Sequence, residues 1–438
     1  MGNLLSLISN TLSADETALA TASENTTGAS SPTYHAETAV IDPVPAGADP
    51  LGFAGSPPPN GMEVVTIERA SDPTAAAGLL SSLGTAAMAS TAVQGLTPIQ
   101  APFAADAPAG VQASLQQLET AWTALQNAPT SAAASQALYG SAQQVAQAVN
   151  AVESQLADVA STLIQQAAQE AGQFGSLLQQ IATTQQSLAT LPPNTNAANS
   201  LLDQVDALTQ HLAQLGGAVS LPTETNQRII AAPGDGPVWV DGSQVPLISS
   251  PGPVLTMSVG TTGPWYTASV TFTAGSTVAF APAYGTLAGT LQALGTVESW
   301  GAQLAGLSHV LASAVPANPS AALFGSTAAG GLLVNPSVST TSLQASVAAQ
   351  AQSALNTALG QWGTLAADVG TVTQQLTQSA TASEASVTGY QQALQKVVGV
   401  DPNQAAVQVM EDQQAFQATA QLLNTQQQMV NTLLQAIA

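Results

Sequence analysis

The side chains able to do chemistry in this chain are few and scattered. His35, His211 and His309 stand with no second His or carboxylate at metal-ligand spacing, so they read as surface or core histidines rather than ligands. Asp203 and Asp206 lie three apart on one predicted helix face, the spacing of a carboxylate pair. No apolar residues bracket them to raise a pKa, and they read as solvated helix charges. Cys is absent, which removes disulfides, thiolate metal sites and thiol nucleophiles. No G-x-S-x-G or G-x-x-x-x-G-K segment occurs, and the glycine-dense "GTLAGTLQALG" lacks the preceding strand and acidic residue of a dinucleotide site. The "NTT" at Asn25 fits a glycosylation acceptor, a triplet that also arises by chance. The chain is therefore read as a non-enzyme, with no catalytic, cofactor-binding or metal site assigned.

The charge balance narrows the partners. Only 3 Lys and Arg face 25 Asp and Glu, a net charge of -22, which argues against nucleic acid and against anionic lipid headgroups. The basic residues, Arg69, Arg228 and Lys396, are far apart in sequence and predict no patch. Charged residues make up 6% of the chain, where about 25% is usual. Gln, Ser, Thr and Asn solubilise it instead, and such a surface can touch copies of itself without desolvating many ions. A compositional habit of the source explains the same numbers equally well. The first residues hold no Lys or Arg, so a Sec-type signal is not expected, and no apolar run of about 18 residues predicts membrane insertion.

The elements that must position any site are mainly helical. The expected fold is mainly α, with terminal helices forming a coiled-coil-like domain, a long helical rod, and a small antiparallel β domain inserted in the middle. The expected organisation is an N-terminal assembly helix and connector over 1–40, then an extended linker with a short strand at "MEVVTIERASDP" over 41–110. The first half of the rod spans 111–218, with Pro192 and Pro193 stopping one long helix and Gly216-Gly217 ending the next. Alternating β-branched and small residues predict the β domain over 219–284. The second half of the rod spans 285–398, interrupted by a Pro/Gly/Ser loop over 316–340, and the C-terminal assembly helix spans 399–438. Asp401, Pro402 and Gln404 give that helix a capping-box-like start.

Both end helices carry half-apolar heptads. Leu5, Leu12 and Leu19 recur every seven residues, with Ile8, Asp15 and Ala22 on the adjacent seam. In the last helix Val409, Phe416, Leu423, Val430 and Ile437 form one seam, and Ala406, Gln413, Ala420, Gln427 and Leu434 are expected as the second. Stable isolated coiled coils want both seams apolar, so each helix should order only on meeting a partner. The periodicity is equally compatible with packing onto the chain's own rod. The nine residues assigned to subunit contact are Leu5, Ile8, Leu12, Leu19, Val409, Phe416, Leu423, Val430 and Ile437.

The ends also carry a resemblance. "SLISNTLSADETALATASENTTGASSPTYHAETAVI" resembles the N-terminal signature of bacterial flagellar axial proteins, and "GVDPNQAAVQVMEDQQAFQATAQLLNTQQQMVNTLL" looks like their terminal helix. "GMEVVTIERASDP" and "NSLLDQVDALTQHLAQLGGAVSL" are similar to segments of the hook-associated protein 1 family, the first of two hook-filament junction proteins. The chain departs from the family pattern at Thr33-Tyr34-His35, at Val205 and at Asn403-Gln404, so apolar and Gln contacts rather than inherited salt bridges are expected to hold the assembly. The resemblance implies a structural flagellar subunit that self-assembles into a tubular ring. It implies hook protein, the second junction protein and an export chaperone as partners, with export through the flagellar type III apparatus. Two readings remain beside it: another axial subunit, or a secreted adhesin-like coiled-coil protein.

Overall fold

The computed structural model describes residues 2–43, 61–103, 110–222, 227–233, 238–242, 254–261, 266–274, 276–279, 282–313, 322–327, 331–335 and 345–437. The first helix, α1 (Gly2–Gly28), leads into an antiparallel hairpin of β1 (Glu37–Pro43) and β2 (Met62–Arg69). Then come α2 (Pro73–Leu96), α3 (Val111–Asn127), α4 (Ala132–Leu188) and α5 (Asn196–Gly216). Two three-stranded antiparallel sheets follow: β3 (Val219–Pro222), β4 (Arg228–Ala231) and β5 (Val238–Asp241), then β6 (Val254–Thr261), β7 (Tyr266–Ala274) and β8 (Ser276–Ala279). The chain ends with α6 (Gly285–Ala312), a hairpin of β9 (Phe324–Ser326) and β10 (Leu332–Val334), α7 (Ala345–Val398) and α8 (Pro402–Ile437). The fold is mainly α with small antiparallel sheets, as the residue patterns predict.

The rod is built on α4, whose 57 residues reach about 85 Å at the rise of an α-helix. Its buried stripe changes partners along its length. Leu138, Val145, Val149 and Leu156 join α3, α6 and the first half of α7 in the main core, where Phe103 stacks on Trp362 with centroids 4.9 Å apart. Farther along, Phe174, Leu178 and Ile181 pack with α5 and the first sheet, and Phe174 meets Trp239 edge-on at 4.8 Å. The α5 helix stops where Gly217 adopts φ +78. The start of α6 tucks against that end: at Gly285, φ +82, a Cβ would overlap the backbone of Leu215 and Gly216.

Two expectations are corrected. An extended linker is predicted over 41–110, yet α2 occupies Pro73–Leu96 and is half lined with buried residues. Asp72 caps it by accepting hydrogen bonds from the amides of Thr74 and Ala75, and Pro73 sits at its first position. Its Ala, Gly, Ser and Thr residues allow close packing, and a Cβ on Gly289 of α6 would run into the carbonyl of Met88. By length and composition alone α2 could cross a membrane, with mean hydropathy 1.3, but half of that window is buried inside the protein against α5, α6 and α7. The second correction concerns the predicted loop over 316–340, which holds the β9/β10 hairpin. Asn150 of α4 docks it by donating to the Leu332 carbonyl and accepting from the Leu332 amide.

Candidate subunit-assembly surface and the ion cluster behind it

The helices α1 and α8 lie side by side and antiparallel: Ala22 faces Ala405, and Asp15 accepts a 2.7 Å hydrogen bond from Thr419. Of the nine residues assigned to contact, Ile8 is buried, Leu12, Leu19, Val409, Phe416, Leu423 and Val430 are half-buried, and Leu5 is 46% exposed. The side chain of Ile437 lies outside the described residues. The second seam of α8 is shifted by one residue from the predicted one. Ala405, Thr419 and Gln426 are buried and Asp412 half-buried, while of the predicted seam Ala406, Gln413 and Gln427 face solvent, Ala420 is half-buried, and the side chain of Leu434 lies outside the described residues. This pairing leaves Val407, Met410, Leu422, Met429 and Leu433 outward on α8. Leu422, Met429 and Leu433, together with Ala415 and Ala418, form a second stripe at helical spacing, which the count of heptad positions missed.

A dense polar joint ties this helix pair to the rod. Asn25 accepts from the Glu37 amide and the Tyr34 hydroxyl and donates to the Glu37 carbonyl, so it fixes the chain's return from α1 to β1. Its amide nitrogen is thereby engaged, and the "NTT" triplet lies in the last turn of α1. Thr21 of α1 donates to Asn196 at the start of α5. The outer edge of β2 is covered at Ile67, whose amide donates to the Asn194 carbonyl and whose carbonyl accepts from Asn199. Asn194 takes the left-handed conformation, φ 57, that Asn tolerates better than most residues. Behind the hairpin, the Ala36 amide donates to the carbonyl of Val398, the last residue of α7.

Arg69, at the end of β2, is sunk between the carboxylates of α5. Its Nε donates to Asp203 at 2.8 Å and its terminal nitrogen to Asp206 at 2.6 Å. Asp203 and Asp206 are therefore not solvated helix charges, and apolar and Gln contacts do not act alone at this joint. The spacing Asp-x-x-Asp was visible in the sequence, but the Arg that reads it lies 134 residues away. His35 also joins the group, which corrects its reading as isolated. Its Nδ1 lies 2.7 Å from the Ala70 carbonyl, so this nitrogen carries a proton, and Nε2 faces Asp206 at 3.9 Å. These three acid and imidazole groups lie within reach of one metal ion, but the Arg69 guanidinium already fills the space between the carboxylates. His211 and His309 are exposed, as expected.

Burial dominates the electrostatics of the joint. It pushes the Asp203 carboxyl up to about 6 despite Arg69, and the Glu37 carboxyl up to about 7, helped by the charges of Glu24 and Asp203. Burial also lowers the pKa of His35, with Arg69 acting in the same direction. Arg69 loses solvation too, yet the two carboxylates outweigh that loss and keep it charged. The cluster sets one guanidinium against two carboxyl groups in a buried setting. The arrangement clamps the hairpin end to α5.

No curated protein sequence matches the chain. Among solved structures, the flagellar hook junction protein FlgK from Burkholderia pseudomallei is similar at 21% identity and a TM-score of 0.47, over 57% of this chain and 46% of that one. The chain thus spans less than half the length of that relative. The family model for the helical domain of the flagellar hook-associated protein FlgK matches residues 96–323, which run from the end of α2 through α6 to the start of the β9/β10 hairpin. That match covers more than half of the 438 residues, and the chain belongs to the flagellar hook-associated protein FlgK family.

Proposed function

We propose that this chain is a structural subunit of the bacterial flagellum that joins hook to filament by self-assembly into a tubular ring. Family membership supports the flagellar setting. The observation that carries the assembly reading is α8, which spends one face on α1 and keeps a second apolar stripe outward at Leu422, Met429 and Leu433. Burying large apolar side chains stabilises contacts by roughly 1.5–3 kcal/mol each before ordering costs. The nine heptad residues then act by building the α1/α8 pair, and the outward stripe meets neighbouring subunits.

The partners in this reading are further copies of the chain, the hook protein, the second junction protein and an export chaperone. Its place is outside the cell, reached through the type III apparatus. The six sequence segments divide the work: the end helices assemble, the rod carries the joint outward, and the β segment is displayed from it. The test exchanges Leu422 and Met429 for Gln in the full-length protein and reads motility in a strain lacking the native gene. Lost motility with secretion and the α1/α8 pair intact supports the reading, and full motility would contradict it.

A further inference from the structure

Cysteine is absent, so the thioethers of six methionines are the only sulfurs of this chain. Among the described residues the two most exposed of them lie on α8, Met410 at 54% and Met429 at 53%. Their equal exposure hides different company. At about 100° of turn per residue, Met429 lies within about 40° of the exposed Leu422 and Leu433, in the middle of the outward stripe. Met410 is turned about 100° from Met429 and stands outside the stripe. The helix around Met429 is also uncharged: no Asp, Glu, Lys or Arg occurs over 413–438, in a chain of net charge -22.

On so acidic a molecule, an uncharged apolar stripe is where a second copy approaches without like-charge repulsion, and it gives a charged partner nothing to pair with. The occupant is therefore the same stretch of α8 in a second copy, which deepens the subunit contact proposed above and rests on it. We propose that Met429 is a redox-sensitive modification site within that contact, oxidised to the sulfoxide by a hydroperoxide. The sulfur lone pair attacks a peroxide oxygen, the O–O bond breaks, and with hydrogen peroxide the other oxygen leaves as water; the thioether gives up two electrons and the peroxide takes them. The product sets a polar S=O among Leu422, Leu433 and Ala418. The hydroxyls one turn away, Thr425 and Thr432, already donate to the carbonyls of Gln421 and Gln428, so covering the sulfoxide leaves it without a donor. Oxidation acts on the free subunit, because the contact itself shields the sulfur.

Met410 is a built-in control for the test. Full-length protein is treated with excess hydrogen peroxide over a range of protein concentrations, with sedimentation reading self-association and peptide mass mapping reading each sulfoxide. In dilute protein Met410 and Met429 should oxidise at similar rates. Where sedimentation shows association, Met429 should slow roughly tenfold relative to Met410. Once Met429 is oxidised, association should weaken roughly tenfold or more, the cost of covering an unpaired polar oxygen, and methionine sulfoxide reductase with a thiol should restore it. The association that Met429→Leu retains should not respond to peroxide, whereas Met410→Leu should respond as the parent does. Unequal rates and their dependence on concentration are read in the unaltered protein, even if a variant fails to fold. Association that is unchanged by complete oxidation of Met429, or that gives Met429 no protection, overturns the inference and leaves the self-assembly reading standing. Unoxidised protein that stays monomeric at every concentration contradicts that reading and the inference with it.

Discussion

Thr419 in the last helix donates its hydroxyl proton to Asp15 in the first, joining residues 404 positions apart. The contact sits where both seams are least apolar, so it sets the register of α1 against α8 rather than supplying bulk adhesion. Thr419→Val keeps the shape and removes the donor, leaving a half-buried carboxylate with one partner fewer. We expect a loss of about 0.5–1.5 kcal/mol, read as faster amide hydrogen exchange along α8 with the rod unchanged.

Arg69 neutralises two buried carboxylates at the joint between hairpin and rod. Arg69→Ala strands both, and breaking a buried charge pair in this way costs about 3–5 kcal/mol. Urea denaturation should show that loss, with Asp206→Asn costing less because Arg69 keeps Asp203. Equal stability of Arg69→Ala and the parent protein would contradict the placement of this cluster.

Glu37 and Asp203 make the joint sensitive to pH with a definite sign. Their folded-state pKa values are raised to about 7 and about 6, so the folded state holds these protons more tightly than the unfolded chain. Stability from these groups is present at low pH and falls as pH rises from about 4.5 toward 7. His35 works the other way: its lowered pKa makes stability fall as pH drops below about 6.5. Glu37→Gln mimics the protonated acid. It should gain about 1–2 kcal/mol over the parent at pH 8 and show none at pH 4, by chemical denaturation at each pH.

Two glycines of α6 should respond oppositely to the same change. Gly285→Ala forces a side chain into the Leu215 backbone at φ +82 and should destabilise by about 2 kcal/mol or more. Gly295 meets nothing within 4 Å, so Gly295→Ala should stabilise by about 0.5–1 kcal/mol through helix propensity. Thermal unfolding of the two variants compares them directly.

How much was legible in the sequence follows from the range of each interaction. The period of α4 and the heptads of α1 and α8 are local patterns, and they gave the helices and the first seam. The second seam of α8, with Ala405, Asp412, Thr419 and Gln426, is invisible to a count of apolar residues because it is mostly polar. The α2 helix was missed because its small residues show little contrast between faces, although Asp72-Pro73 carried a readable start signal. The joint was legible only as an Asp-x-x-Asp spacing. Its Arg69 and His35 come from distant segments, and only the folded hairpin brings them to α5.

In the proposed role this chain joins hook to filament, and does so through α8. Electron microscopy of a strain lacking the gene, complemented with the full chain or with a chain ending at Gly399, tests it most directly. The account predicts hooks without filaments in the deletion strain, with flagellin shed to the medium, and rescue by the full chain alone. Normal filaments without the gene would contradict the junction role, and rescue by the shortened chain would contradict the part assigned to α8.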